Sequence, residues 1–193
     1  MGLYPKYTTT LSKMRPHKGY YEMNSSIFKQ KSSYWRVFAL CFFTAVLLFL
    51  PHCIIDAAAG GGYFHYAGDF NDQQINFYQY ANAFLKHGGS FSWATDLGSG
   101  FVNAYSFYLL GSPFFWLSML LPARLMPWAM VPLLCLKMAV AGGGGYLWAR
   151  RWVRDDTWSM LAGCLYAFSG FSIYNIFFNH FLDVVALFPY MLA

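Results

Sequence analysis

The stretch VFALCFFTAVLLFLPHCII, residues 37–55, decides the fold class of this chain. It holds no Asp, Glu, Lys or Arg over 19 residues. As a helix rising about 1.5 Å per residue it would be about 28 Å long, close to the hydrocarbon thickness of a bilayer. A cleaved signal peptide is the alternative interpretation, but residues 1–33 would make an implausibly long basic region and no clear cleavage site follows. We therefore expect a signal anchor that stays in the membrane.

The composition of the whole chain excludes a soluble globular domain. Charged residues make up 11%, aromatic residues 22%, and mean hydropathy is +0.35, whereas soluble domains carry about 25% charged residues. The net charge of +5 would suit nucleic-acid binding, but the bases flank apolar segments, as topology signals do. The four cysteines suggest neither a disulfide framework nor a zinc site. We predict an all-α polytopic membrane protein that contacts the lipid bilayer and no nucleic acid.

Charge counting sets the predicted topology. An arrangement with ten Lys and Arg residues inside and two, Lys86 and Arg124, outside obeys the positive-inside rule. It requires that residues 104–121 dip into the membrane without crossing, which the helix-breaking pair Ser112-Pro113 favours. The predicted chain begins with a basic disordered cytoplasmic tail at 1–33 and a first transmembrane helix at 34–55. An outer loop follows at 56–127, with an interfacial helix at 69–87 and a re-entrant or interfacial segment at 104–121. After it come a transmembrane helix at 128–149, a cytoplasmic loop at 150–156, a transmembrane helix at 157–178, and an outer turn at 179–193 that starts a further segment. Because that last apolar run continues to the end of the sequence, we expect a longer parent protein.

The helix predicted at 69–87 is amphipathic. At 100° per residue its apolar face carries Phe70, Phe77, Tyr78, Ala81, Phe84 and Leu85, and its polar face carries Asp69, Asp72, Gln73 and Asn76. Two carboxylates and two amides on one face could bind a sugar and accept a proton from its hydroxyl. A helix cap is the alternative role for Asp69, and Asp72 then belongs to the first turn, where a negative charge is also favoured.

Six further residues are candidates for substrate binding, each with a structural alternative. Lys137 lies mid-span, where a charge normally faces the bundle interior and serves function or a buried partner. Arg124 could hold a substrate phosphate or a lipid headgroup. Asp96 could be a ligand or a turn cap, and Trp93 could stack on a sugar or anchor at the interface. The remaining two candidates, His180 and Asp183, follow the span at 157–178 and are expected on the same side as Asp69. The glycine run Gly142–Gly145 is interpreted as helix packing.

The order of short motifs from Gly68 to Pro189 resembles the bacterial YfhO-type membrane proteins, in the GT-C group of polyprenyl-phosphate-dependent glycosyltransferases. The motifs that carry the resemblance are Gly68-Asp69 with Gln73 and Phe77, Ser92-Trp93 with Leu97-Gly98, Tyr105, Tyr108, Ser112-Pro113, Leu136-Lys137, the glycines before Tyr146-Leu147, Leu165-Tyr166-Ala167-Phe168-Ser169-Gly170, and Leu182-Asp183 before Pro189. The family usually has an aromatic residue and a proline where this chain has Gln74 and Asn76.

The resemblance implies a GT-C-like N-terminal transmembrane module at the bacterial plasma membrane, with its active-site acid in the first outer loop. That acid carries over to Asp69 and, secondarily, to Asp72. The implied donor is a polyprenyl-phosphate-linked sugar, and the implied acceptor is a cell-envelope polymer such as a teichoic acid. No cofactor is expected, and metal dependence is left open. A transporter or flippase of lipid-linked sugars and a non-catalytic envelope assembly subunit are the rival hypotheses.

Overall fold

The computed structural model describes residues 18–61, 64–66, 68–95 and 97–193, with side chains from residue 30 onward. The chain divides into a short unit, residues 1–32, and a larger unit, residues 33–193. Helix α1 runs from Lys18 to Ala58. The predicted disordered tail is therefore helical over residues 18–33, because a helix extends easily once formed and the sequence has no proline between Pro16 and Pro51. Residues 1–17 of that tail lie outside the described residues.

Two helices of the described chain are long and apolar enough to cross a membrane. They occupy residues 30–58 and 123–149. The first includes the span predicted at 34–55. The second is made of a 3₁₀ turn, Ala123–Leu125, and helix α5, Met126–Ala149, and it includes the span predicted at 128–149. The chain is thus predominantly helical with two candidate membrane spans.

The predicted span 157–178 is not one helix. Helix α6 covers Asp156–Ala167 and helix α7 covers Gly170–Tyr174. The break lies at Phe168 and Ser169, where the Ser169 hydroxyl accepts a hydrogen bond from the Ser172 amide at 3.3 Å and so caps α7. At 12 residues, α6 is about 18 Å long, shorter than the hydrocarbon core of a bilayer.

The segment between the two candidate spans is built from short elements. A π-helix, π1, covers Phe70–Ile75 and continues into α2, Asn76–Lys86. A two-residue antiparallel hairpin pairs β1, Phe91–Ser92, with β2, Ser99–Gly100, a small exception to the predicted all-α class. The segment predicted as re-entrant at 104–121 is broken as expected, into α3, Phe101–Tyr105, a second π-helix, π2, Ser106–Leu110, and α4, Pro113–Ser118. Ser112 caps α4 by accepting from the Phe115 amide at 3.1 Å.

Helix α5 is the centre of the packing, and its glycine run makes that possible. A Cβ atom added to Gly142 would lie 2.4 Å from the Cys41 sulfur of α1, and one added to Gly145 would lie 3.2 Å from the Gly163 Cα atom of α6. The two middle glycines meet tyrosine rings, Gly143 that of Tyr34 and Gly144 that of Tyr190, at 2.7 and 2.6 Å. The predicted packing role is therefore confirmed, since three helices approach the backbone of α5 where side chains are missing.

Helix α8, Phe181–Leu192, and the start of α6 complete the bundle. Tyr190 of α8 donates to the Val140 carbonyl at 2.9 Å, and its hydroxyl lies 2.9 Å from that of Tyr34. At the start of α6, Asp156 accepts hydrogen bonds from Ser33 of α1 and Tyr146 of α5. The hydrogen bonds of Tyr190 thus join α8 to α1 and α5, and those of Asp156 join α6 to the same two helices.

Candidate functional site

Asp69 stands at the entry to π1, but not as a side-chain cap. Its backbone is already helical, with φ −60° and ψ −17°, and within the described residues its carboxylate makes no capping hydrogen bond. Instead the Asp69 carboxylate accepts from Gln73 Nε2 at 3.1 Å. The capping alternative is therefore not what the structure shows. Gln73 holds the carboxylate from one turn further along the helix, and Asp69 stays half-buried.

The helix predicted at 69–87 has the expected faces for most of its residues. Phe70, Tyr78 and Ala81 are buried, while Asp72 and Asn76 are exposed. Two amides depart from this division. Gln74 and Asn82 are fully buried, and the Gln74 Oε1 atom has no hydrogen-bond partner in the described part of the chain. Gln74 is thus a polar group turned into the protein, where an unpaired acceptor is costly.

Lys137 of α5 forms a buried ion pair with Asp183 of α8. Lys137 is 1% exposed, and its Nζ atom lies 2.6 Å from Asp183 Oδ1. The ammonium also donates to the backbone carbonyl of Asn179 at 2.9 Å and to its side-chain oxygen at 3.0 Å. An ammonium has three N–H groups, and three acceptors surround this one. The predicted buried partner of Lys137 is Asp183, and the ammonium is committed to protein acceptors rather than to a phosphate.

His180 lies beside this ion pair and joins both π-helices. Its Nδ1 atom is 3.3 Å from Gln74 Nε2 in π1. Its ring centroid is 5.2 Å from that of Phe107 and 5.0 Å from that of Tyr108, both in π2. π-Helical turns are rare and occur frequently at functional sites. Here two of them converge on one titratable side chain.

The surroundings of His180 favour its neutral form. Burial lowers the pKa of the imidazole below its ordinary value of 6.5, and the positive charge of Lys137 acts in the same direction. The negative charges of Asp183 and Asp69 oppose the shift, so Asp69 is close enough for its charge to act on His180. Burial raises the pKa of Tyr78, so its phenol stays protonated.

We use the name outer polar cluster, after the loop at 56–127 that is predicted to lie outside, for Asp69, Gln73, Gln74, Lys137, Asn179, His180 and Asp183. It brings together five of the predicted site residues: Asp69, Gln73, Lys137, His180 and Asp183. Gln74 and Asn179 were missed. Gln74 had one signal in the sequence, since it stands where an aromatic residue is usual, whereas an asparagine at the end of an apolar run gives none.

Four predicted residues are not part of the outer polar cluster. Asp72 is exposed one residue before Gln73, and Trp93 is 81% exposed in the β1–β2 turn. Asp96 lies outside the described residues. Arg124 is exposed in the 3₁₀ turn that packs near the far end of α2. That end is roughly 20–25 Å from Asp69 along the continuous π1–α2 helix, so Arg124 and Asp69 do not face one common substrate group.

The family comparison fits this arrangement. A family model described as bacterial membrane protein YfhO matches residues 40–193. The chain belongs to the YfhO family. The YfhO match includes the candidate span at 123–149, residues 40–58 of the first candidate span and every residue of the outer polar cluster. The family predicted by resemblance is confirmed, and a membrane-associated role follows. No curated protein and no solved structure matches the chain.

Proposed function

We propose that this YfhO protein is a membrane glycosyltransferase that moves a sugar from a polyprenyl-phosphate carrier to a cell-envelope polymer at the outer face of the plasma membrane. The observation that carries the proposal is the outer polar cluster itself. Titratable groups are costly in a membrane protein, and those that persist there usually serve function. Here a carboxylate, an imidazole and an ion pair meet beside two π-helices.

The proposed reaction is a displacement at the anomeric carbon of the donor sugar. An acceptor hydroxyl oxygen attacks that carbon, and a new glycosidic C–O bond forms. The bond from the anomeric carbon to the phosphate oxygen breaks, and polyprenyl phosphate leaves with the electron pair. The hydroxyl proton passes to Asp69, which acts as general base. The acceptor has the chemistry of a teichoic acid or a similar hydroxyl-rich polymer.

The roles of the neighbouring groups follow from their contacts. Gln73 orients the Asp69 carboxylate through its 3.1 Å hydrogen bond. His180, neutral at physiological pH, can donate a hydrogen bond to the substrate without competing for the acceptor proton. Lys137 and Asp183 act as positioning residues, since they fix the turn before α8 that presents His180.

The test is Asp69→Asn in the protein expressed in its own membrane, with transfer of labelled sugar from polyprenyl phosphate to the envelope fraction as the measurement. Asn can still accept the hydrogen bond from Gln73, so the substitution removes the basicity and keeps the local structure. We expect transfer to fall by about 10²- to 10⁴-fold, the usual contribution of a general base. Asp72→Asn is the matched control, because Asp72 is exposed and should lose little.

Expression and membrane insertion are compared in parallel by immunoblotting of the membrane fraction. Near wild-type transfer by a well-inserted Asp69→Asn protein would refute the catalytic assignment. If the wild-type protein binds the lipid-linked sugar but transfers none of it, the transporter hypothesis is favoured instead.

A further inference from the structure

An apolar groove opens between α1, α4 and α5. One part has a volume of about 520 Å³ and a second part about 280 Å³. The two parts share Phe42, Trp128 and Pro132, so they form one continuous groove along α5. Trp128 is 55% exposed and Leu120 is 80% exposed on its walls. We call this the α1–α5 groove.

The walls of the α1–α5 groove suit a hydrocarbon chain. The polar side chain in its larger part is Ser118, and the Ser118 hydroxyl donates to the Phe115 carbonyl at 2.6 Å. Other lining residues are aliphatic or aromatic, including Leu117, Leu121, Leu125, Ala129, Leu133 and Leu136. An apolar surface of this kind, next to two candidate membrane spans, is wetted by lipid chains rather than by water.

Two cations stand next to residues that line one end of the groove. Lys86, the last residue of α2, donates from Nζ to the carbonyl of Leu121, a groove residue, and keeps two N–H groups for another acceptor. Arg124 is exposed and stands one residue before Leu125, also a groove residue. Charges of +2 at the mouth of a hydrocarbon-lined groove complement a phosphate attached to an acyl chain.

This end of the groove is rigidly built. The Leu121 carbonyl also accepts from Asn82 Nδ2 at 3.1 Å, and the same amide donates to the Ser118 carbonyl at 3.3 Å. Asn82 is fully buried on α2. Two residues of α2, Asn82 and Lys86, one turn apart, therefore hold the loop after α4 in place, and Arg124 follows that loop.

Distance separates this site from the outer polar cluster. Lys86 and Asp69 are at opposite ends of the π1–α2 helix, roughly 20–25 Å apart along its axis. A donor whose sugar reacted at Asp69 could not place the attached phosphate at Lys86. A phosphate held at Lys86 and Arg124 therefore belongs to a different lipid.

We propose that the α1–α5 groove is a binding site for an anionic bilayer phospholipid, with one acyl chain against Phe42 and Trp128 and the phosphate at Lys86 and Arg124. The assignment does not depend on glycosyl transfer. The ligand class is a phosphodiester lipid of net negative charge, such as phosphatidylglycerol, rather than a zwitterionic lipid.

Trp128 supplies the measurement, because it lines both parts of the groove. The protein is reconstituted in phosphatidylcholine vesicles that contain a small fraction of phosphatidylglycerol with brominated acyl chains, and tryptophan quenching is recorded. Subtracting the signal of Trp128→Phe isolates Trp128 from the other six tryptophans. We expect Trp128 to be quenched more strongly by brominated phosphatidylglycerol than by brominated phosphatidylcholine at the same fraction.

The double variant Lys86→Gln with Arg124→Gln should remove this preference. Loss of each cation should weaken the apparent affinity for phosphatidylglycerol by about fivefold. The matched control is Arg151→Gln with Arg154→Gln, two exposed bases beyond the other end of α5, which should keep it. Asp69→Asn should also keep it, so the lipid site and the proposed reaction can fail separately. Circular dichroism checks that each variant stays helical. Equal quenching by the two lipids, no quenching of Trp128 by either, or a preference that survives the Lys86 and Arg124 substitutions would each overturn the proposal.

Discussion

Lys137 Nζ and Asp183 Oδ1 lie 2.6 Å apart and are separated by 46 positions in the sequence. The pair joins the middle of α5 to the first turn of α8. The ammonium donates its other two hydrogen bonds to the backbone and side-chain oxygens of Asn179. The sequence spacing of Lys137 and Asp183 does not predict this contact. It arises because α6 packs along α5 and the chain then returns through α7 to place α8 on α5 as well.

Breaking this pair should destabilise the protein strongly. Lys137→Met leaves the Asp183 charge unpaired beside a buried site, and Asp183→Asn leaves the ammonium unpaired, so each should cost about 3–5 kcal/mol in the free energy of unfolding. The combined variant Lys137→Met with Asp183→Leu should recover much of that loss, since neither charge remains. Thermal unfolding in detergent measures all three. A double variant that loses the sum of the single effects would show that the two residues do not interact.

The glycine positions of the bundle should differ sharply in their tolerance of alanine. A Cβ atom at Gly163 would lie 2.5 Å from the Gly142 carbonyl oxygen and 2.9 Å from the Tyr146 amide nitrogen. Both are backbone atoms of α5, so relief requires the two helices to move apart, and Gly163→Ala should cost about 1–3 kcal/mol in unfolding free energy.

Gly170→Ala is the matched control, because a Cβ atom there meets nothing within 4 Å. It should be neutral or slightly stabilising, by up to about 1 kcal/mol through the unfolded chain. The comparison uses the same unfolding assay, and equal effects at the two positions would contradict the packing of α6 on α5.

The thiols of Cys41 and Cys164 should cross-link under oxidation. Their sulfur atoms are 3.8 Å apart, between α1 and α6, and a disulfide bond requires them to approach to about 2.0 Å. Copper phenanthroline, as the oxidant, should convert these two thiols into one intramolecular disulfide, seen as a linked peptide pair by mass spectrometry. Cys41→Ser and Cys164→Ser should each abolish the product. Absence of a Cys41–Cys164 link from the oxidised protein would contradict the placement of α1 against α6.

The pH dependence of stability should carry the signature of His180. Its folded-state pKa is lowered below 6.5, mainly by burial. The unfolded state therefore binds the proton more readily, so the contribution of neutral His180 is present above pH 6.5 and is lost as the pH falls through the folded pKa. Unfolding temperatures measured from neutral to acidic pH should show a smaller acid loss for His180→Gln than for the wild type. An unchanged acid limb would mean that His180 titrates normally.

The sequence was most informative where periodicity was regular and least where helices were interrupted. Helix α5 contains the residues predicted at 128–149, α2 ends at Lys86, one residue before the predicted 87, and Ser112-Pro113 indicated the break before α4. The pair Ser169-Gly170 was an equally clear signal for a helix break, but the apolar run around it favoured one continuous helix. The burial of Gln74 was not predicted because a helical wheel drawn at 100° per residue does not describe a π-helical turn. Each residue of such a turn advances the helix by a smaller angle.

The bare backbone at Gly142–Gly145 also has a consequence for the order of assembly in the membrane. The chain is synthesised from its N-terminus, so α1 is already present when α5 enters the bilayer, and Tyr34 can dock on Gly143 at once. Tyr190 emerges only with the end of α8. Until then, one strip of α5 presents peptide groups without covering side chains, and α8 covers that strip when it arrives. Coverage of the strip is thus set by when residue 190 leaves the ribosome.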